Sequence, residues 1–600
     1  MSKKYIDIMD TTFRDGFQSV FGGRVLMDDF LPAVAAAREA GISHFEFGGG
    51  ARFQSLFFYL QENAFEMMQR FRDAAGAEAN LQILARGINT VMLDTASREM
   101  INLFAKLFAK YETTTVRNFD ALNDIRNLEF SGDAIKRHGM MHEVVVTMMD
   151  LPPGCSGAHT AEFYKNKVVE ILDNGIDFDS IAFKDASGTA NPAKIYDVIS
   201  STRELLGDDV HIRLHTHETA GISVPCYLAA LEAGADGIDL AAAPVSGGTS
   251  QPDMLTLLHA TKGMGYNLGD LEISKVVKYQ EVLQEQLKDY FLPPEATKVN
   301  PIIPLAPMPG GALTANTQMM RDSGNLEMFD RVINAMSEVV SKGGYGTSVT
   351  PVSQFYWQQA YANVMFGEWN KITEGFGKMV LGYFGRTPVV PDPEIVEKAS
   401  EQLKLEPTTK DPLDIADADE SKSIAHWKGV LQKEGIEATE ENIFISAACK
   451  EKGIAYLKGQ SPLMVRKNSE TEDIKVNTGN KMKDNEIENY TVVVDGKKYS
   501  VQVAKGSDTI ESITQQEEVK DTAPQEVSSD SADVLAQVPG TVWKIYKKVG
   551  DSIASGEVIM MLEVMKMEIE IISPKAGVIE SIEVDLNQNV AEGQLLAKIG

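Results

Sequence analysis

Over its first 250 residues the chain alternates two hydrophobic patterns. Short, nearly continuous apolar runs occur at 5–10, 44–48, 81–86, 113–120, 142–149, 180–185, 211–217 and 237–243. Between them lie stretches such as 30–40 and 163–174, where apolar residues recur at helical spacing. A short apolar run bounded by turn signals reads as a strand buried on both faces. Eight strand–helix units in about 250 residues is the count of a closed TIM (β/α)8 barrel. An open doubly wound sheet is the alternative, and the even spacing of the eight units favours closure.

Beyond about residue 260 the pattern lengthens into helical stretches at 273–290, 328–341, 393–404 and 440–458, interrupted by loops such as Ala306-Pro307-Met308-Pro309-Gly310-Gly311. The expected organisation is an α/β TIM-barrel domain over 1–300 and a mostly helical part over 301–465. A polar linker over 466–488 then leads to a β-hairpin over 489–504, where Asp495-Gly496 suits a type I′ turn. Residues 505–533 are rich in Ser, Thr, Asp, Glu and Gln and too polar to bury a core, so they read as a flexible tether. A coil of that length has an r.m.s. span of ~30 Å. A small all-β domain over 534–600 completes the chain.

That last domain carries a two-fold sequence repeat. Gly540 corresponds to Gly577, Val542 to Ile579, Ile553 to Val590 and Gly556 to Gly593, at constant offset. Between the halves lies Met561-Leu562-Glu563-Val564-Met565-Lys566-Met567-Glu568, where a tight hairpin would present Lys566 to solvent.

Composition narrows the partners. Hydrophobic content of 43% with 24% charged residues fits a soluble globular protein of several domains. A net charge of −29 argues against nucleic acid and anionic membranes as partners. No signal-peptide pattern follows Met1-Ser2-Lys3-Lys4 and no run approaches a membrane span, so a cytoplasmic location is expected. Cys155, Cys226 and Cys449 show no metal or disulfide spacing and read as core residues.

Polar residues cluster where barrel strands should end, which is where barrel enzymes place catalytic groups. Arg14, Asp15 and Gln18 follow the first strand, Arg86 ends the third, Lys184-Asp185 ends the sixth and His215-Thr216-His217 ends the seventh. Residues i and i+2 of a strand share a face, so both imidazoles can face one ion. Asp15 can add a carboxylate, and two histidines with a carboxylate suit a zinc-like or manganese-like ion. Lys184 as an ammonium cannot ligate a cation. Burial near positive charge would lower its pKa and let the neutral amine take up carbon dioxide as an anionic carbamate. A salt bridge to Asp185 or another barrel carboxylate accounts equally well for Lys184 on spacing alone.

The segment around Lys566 resembles the biotinyl (biotin carboxyl carrier) domain, whose signature is Glu-Ala-Met-Lys-Met; Val564 stands here in place of Ala. That resemblance implies biotin joined to Lys566 through an amide by a biotin protein ligase. Biotin's chemistry is carboxyl carriage. Asp10-Thr11-Thr12-Phe13-Arg14-Asp15-Gly16-Phe17-Gln18-Ser19, Phe183-Lys184-Asp185, Leu214-His215-Thr216-His217, the 246–252 segment and Val349-Thr350-Pro351-Val352-Ser353-Gln354 resemble the biotin-dependent carboxyltransferase family. The family spans pyruvate carboxylases, the oxaloacetate decarboxylase alpha subunit and a transcarboxylase subunit. The chain departs from many carboxylases at Phe17 (often His), Leu93 (often Tyr) and Gln354 (commonly Lys).

The resemblance implies that Asp15, His215, His217 and carboxylated Lys184 bind one divalent metal, zinc foremost, with manganese or cobalt also fitting. It implies that Arg14, Gln18 and Arg86 hold pyruvate or oxaloacetate, and that Thr350 shuttles a proton between the pyruvate methyl group and biotin. No Gly-rich ATP-binding segment or Walker motif is present, so a separate ATP-dependent biotin carboxylase subunit is expected as partner. The resemblance leaves two forms open: the biotin-bearing subunit of a two-subunit pyruvate carboxylase, or the alpha subunit of a sodium-pumping oxaloacetate decarboxylase. The helical part and the hairpin offer surfaces for a homo-oligomer.

Overall fold

The computed structural model describes residues 3–322, 324–468, 488–494, 497–503, 531–564, 567–586 and 588–600. Eight parallel strands close into a barrel in sequence order. They are β1 (Asp7–Asp10), β2 (His44–Gly49), β3 (Asn80–Ala85), β4 (Thr115–Phe119), β5 (Met141–Thr147), β6 (Ser180–Asp185), β7 (His211–Thr216) and β8 (Gly237–Leu240). Closure runs through β8 and β1, with Asp7 opposite Gly237 and Asp10 opposite Leu240. Each of the eight expected apolar runs overlaps one of these strands, with ends that differ by a few residues. The first differs at its start. Lys4–Tyr5 is a separate short strand that pairs in parallel with Tyr266–Asn267, and the barrel strand begins at Asp7.

Helices between the strands bury their apolar faces against the barrel, and local sequence sets their ends. Before the helix Pro192–Leu206, Asn191 accepts from the Lys194 amide and Pro192 fills the first turn, where no intrahelical donor is needed. The Arg14–Asp15 segment is a single π-helical turn, Thr12–Gly16. Phe13 anchors it, packing edge-on against Phe17 at 5.8 Å and Phe71 at 5.5 Å.

The helical part covers two sides of the barrel. Met308, Leu313, Val349, Val352 and Tyr356 pack with Leu84, Phe119, Val145 and Ala182 over the C-terminal ends of the strands. The helix Glu440–Leu457 lies against the outer helices instead, with Phe444 5.6 Å from Phe53 and Tyr456 4.9 Å from Phe57. Cys226 and Cys449 are buried, but Cys155 is partly exposed in the loop 150–160, so it is not the core residue expected. Among the described residues no helix is long and apolar enough to cross a membrane.

Residues Glu488–Val494 and Lys497–Val503 pair as an antiparallel hairpin; the Asp495-Gly496 turn lies outside the described residues, as does most of the expected tether. The C-terminal β domain holds two four-stranded sheets, and its first strand starts at Ala532. The sequence repeat is a structural one. Val542, Ile579, Ile553 and Val590 are all buried. Gly556 and Gly593 both take left-handed φ, 81° and 77°, which a side chain would strain. The Gly556 amide donates to Ser573 O and the Gly593 amide to Ala536 O, equivalent residues of the opposite half. The two halves therefore interlock. Val558–Val564 and Met567–Ile572 pair with Val564 opposite Met567; Lys566 lies outside the described residues.

Candidate active site and metal centre

One cleft at the C-terminal mouth of the barrel is lined by Arg14, Asp15, Gln18, Arg86, Lys184, His217 and Thr350. His215 sits beneath it, fully buried. Arg14, Asp15, Gln18, Arg86, Lys184, His215, His217 and Thr350, the residues expected to hold substrate or metal or to move the proton, thus gather in one place. Thr350 arrives from the helical part, directly before the helix Val352–Phe366.

Asp15, His215 and His217 form a buried ligand cluster. The two Nε2 atoms are 3.1 Å apart, and Asp15 Oδ2 is 3.1 Å from His215 Nε2 and 3.3 Å from His217 Nε2. The outer nitrogens fix the tautomers. His215 Nδ1 faces the Asp239 carboxylate at 2.7 Å, and His217 Nδ1 faces the Thr249 carbonyl at 2.7 Å. Both partners only accept, so each ring carries its proton on Nδ1 and turns an Nε2 lone pair inward. Two imidazole lone pairs and a carboxylate oxygen converging in a buried space are a donor set for a divalent cation, and imidazole with carboxylate suits zinc, manganese or cobalt.

The neighbours of the cluster are donors. Lys184 Nζ lies 2.7 Å from His215 Nε2 and 3.2 Å from Asp15 Oδ2, and Gln251 Nε2 lies 3.0 Å from His217 Nε2. Lys184 does not pair with Asp185, because consecutive strand residues face opposite sides. Asp185 instead accepts the amides of Gly188 at 2.9 Å and Ala190 at 2.6 Å. Burial, joined by Arg14, pushes the Lys184 amine down against the pull of Asp15. Burial also raises the Asp15 carboxyl, but the positive charges of Arg14 and Lys184 outweigh it and hold it well below the usual range.

Two guanidiniums face the cleft in different states. Arg14 is tied to Glu46 at 2.6 Å and to Asp15 at 3.2 Å. Arg86 is 2% exposed and donates to the carbonyls of Val91 and Met92, at 2.8 and 2.9 Å. Among the described residues no carboxylate forms an ion pair with it. Burial and the nearby Arg14 push it down to about 9. A buried cation without a counter-charge is costly unless an anion joins it. Gln18 Oε1, which has no hydrogen-bond partner among the described residues, belongs to a side chain that borders the same space.

Several residues that shape the site were not singled out in the sequence. Asp239, Thr249 and Gln251 orient or contact the ligand histidines, and Gln251 lies inside the 246–252 motif, to which no role was attached. Asp239 carried a faint signal as a charge within an apolar strand run. Gly310 starts the helix Gly310–Asp322 against the ligand strands: a Cβ there would fall 1.7 Å from Thr249 O and 3.0 Å from His217 Nδ1. Only glycine allows that approach.

Known proteins resemble this chain in its barrel part and in its carrier domain. Residues 303–503 match the family model of a conserved carboxylase domain, and 526–599 match that of a biotin-requiring enzyme. The chain is 30% identical over 567 residues to the B-type subunit of pyruvate carboxylase from Methanocaldococcus jannaschii, covering 94% of each chain. It is 30% identical to the methylmalonyl-CoA carboxyltransferase 5S subunit of Propionibacterium freudenreichii, over 71% of this chain and 83% of that one. The structure of the carboxyl transferase domain of Rhizobium etli pyruvate carboxylase with oxalate superimposes with a TM-score of 0.69 at 25% identity, covering 77% of this chain and 78% of that one.

Proposed function

The chain belongs to the biotin-dependent carboxyltransferase family that includes the B-type subunits of pyruvate carboxylases, and on that premise we propose that it moves a carboxyl group between biotin and pyruvate, with oxaloacetate as the carboxylated partner. The observation that carries this reading is the buried, uncompensated Arg86 beside Arg14 and the Asp15–His215–His217 cluster. A small 2-oxo acid supplies the carboxylate that such a cation needs and the carbonyl oxygen that a ligand cluster can polarise.

Asp15, His215 and His217 would hold a divalent ion, and Lys184 would join as a fourth ligand once its amine has added carbon dioxide and released a proton. When bound, the ion supplies Lewis-acid polarisation of the 2-oxo oxygen. Biotin, attached to Lys566, supplies the carboxyl group or accepts it. Arg86 and Gln18 hold the substrate carboxylate. Arg14 keeps positive charge where the enolate develops, and fixed charge in a water-poor cleft is worth more there than in water. Thr350 Oγ1 relays a proton: in the carboxylation direction it takes one from the pyruvate methyl group as it gives its own hydroxyl proton to the biotin ring nitrogen, and the reverse direction runs the same relay backwards.

A separate ATP-dependent biotin carboxylase subunit supplies the carboxyl group, as the name of the archaeal relative suggests, and a biotin protein ligase modifies Lys566. Purification of the native complex tests the assignment. A soluble partner with an ATP-binding fold is expected; a multi-span membrane partner would assign the chain to an oxaloacetate decarboxylase instead.

Three substitutions test the site. His215→Ala removes one inner donor and should strip the divalent ion from the purified chain, read by elemental analysis. Metal content unchanged in both His215→Ala and His217→Ala would reject the centre. Gly310→Ala should displace the start of the helix over the mouth and, since misplacement by an ångström can cost about 10²-fold, lower kcat/KM by that order while the fold persists by circular dichroism. Activity within about threefold of the parent would show that the helix start can yield without disturbing the cleft.

A further inference from the structure

The barrel interior beneath the ligand cluster holds charges that the mechanism above does not use. Asp239, on β8, is fully buried. Its Oδ2 lies 2.7 Å from His215 Nδ1 and 2.5 Å from Arg117 NH1, and its Oδ1 lies 3.0 Å from Arg213 NH1. Arg117 also meets Glu143 through Nε at 2.5 Å and approaches Glu46 at 3.9 Å. Glu46 in turn holds Arg14 at 2.6 Å. One buried chain of charges therefore runs from the cleft arginine, under the site, to a ligand histidine.

We infer that Asp239 is the positioning residue of His215, and that Arg117 and Arg213 hold Asp239 in the orientation this requires. The inference rests on the metal-site reading above. A neutral imidazole has one N–H, and an ionised carboxylate can only accept it. Asp239 thus places the proton on Nδ1 and leaves the Nε2 lone pair facing Asp15 and His217. A carboxylate behind a ligand imidazole also fixes the ring plane and makes the inner nitrogen a better donor.

The carboxylate itself must not turn. Each of its oxygens faces a different guanidinium, Oδ1 facing Arg213 and Oδ2 facing Arg117. Both arginines are tied again, to Glu143, with Arg213 Nε 3.4 Å from its Oε2. Arg213 also reaches Asp7. Arg117 keeps Glu46 and Arg213 keeps Asp7 even without Glu143, so the hold on Asp239 does not rest on Glu143 alone. His217 is oriented differently, by the main-chain carbonyl of Thr249, which no side-chain replacement removes. The two ligand rings therefore differ in what a mutation can disturb: His215 depends on a side chain and His217 does not.

The test uses the full biotinylated chain and reads metal affinity by chelator competition and the visible spectrum of the cobalt-substituted protein. Asp239→Asn keeps the size and removes the carboxylate. It should weaken metal binding by about 10–100-fold and shift the cobalt bands. Should it not fold, Asp239→Glu, which keeps the charge but displaces the oxygens, should also weaken binding. Glu143→Gln is the control, because Glu143 touches Arg117 and Arg213 but not His215. It should lower thermal stability and leave metal affinity within about threefold of the parent. Parent-like affinity in the folded Asp239 variant, alongside loss in His215→Ala, would overturn the inference and spare the metal centre. Equal loss in Glu143→Gln would overturn it too, since the effect would then belong to the network as a whole. Metal retained in His215→Ala would overturn this inference, and metal retained in His217→Ala as well would also reject the centre.

Discussion

Thr350→Ala should reduce biotin-dependent oxaloacetate decarboxylation by the isolated chain by about 10²–10⁴-fold, the range typical of a lost proton-transfer group. Thr350 lines the cleft with Arg86 and Lys184. The loop that presents it is fixed from several sides. The Thr347 amide donates to Ala121 O at 2.8 Å, the Thr347 and Thr147 hydroxyls meet at 2.9 Å, and Ser348 Oγ donates to Pro307 O at 2.8 Å. None of these bonds uses the Thr350 side chain, so alanine should leave the loop in place and remove only the relay. Metal and biotin content should match the parent, because Thr350 belongs to neither attachment. Activity within about threefold of the parent would make Thr350 a structural loop residue and require another proton carrier.

Lys566→Arg should abolish both streptavidin binding and carboxyl transfer. Arginine keeps the charge, but its guanidinium does not form the amide that joins biotin to a lysine amine. The paired strands on either side, with Glu563 opposite Glu568 and Val564 opposite Met567, carry their own buried core in Ile559, Leu562 and Ile569. The substitution should therefore leave the melting of the β domain and of the barrel unchanged. A streptavidin signal remaining in the variant would mean that biotin is attached elsewhere, and transfer activity remaining without signal would mean that the chemistry does not run through this domain.

Much of this is readable along the chain because it is written in local periodicity. The runs at 142–149 and 180–185 are apolar because their strands are covered on both faces, and the strand period of two by itself puts His215 and His217 on one side. The carrier repeat is equally legible, since Gly556 and Gly593 are demanded by backbone conformation at equivalent places. The domain-level resemblance supplies what periodicity cannot, above all a role for Thr350, which by itself reads as a loop residue.

Other features are not legible. Arg117, Glu143, Arg213 and Asp239 lie in strands and look, one at a time, like solvent-facing charges. They are buried at 0–2% exposure because they neutralise one another inside the barrel. In the sequence Lys184 could pair with Asp185 or with another barrel carboxylate, and strand geometry turns it to Asp15, 169 residues away, rather than to its neighbour Asp185.

The sequence by itself determined the eight strand–helix units, the two-fold carrier domain and the residue types available at the strand ends, because helix and strand periods and turn conformations are properties of neighbouring residues. Only the tertiary structure decided which charges pair, which ring nitrogen carries the proton, and which helix start closes over the cleft. Those outcomes depend on barrel closure, which brings Asp15, Asp239 and Gly310 together from segments far apart along the chain, and nothing in their local sequence encodes the distances that result.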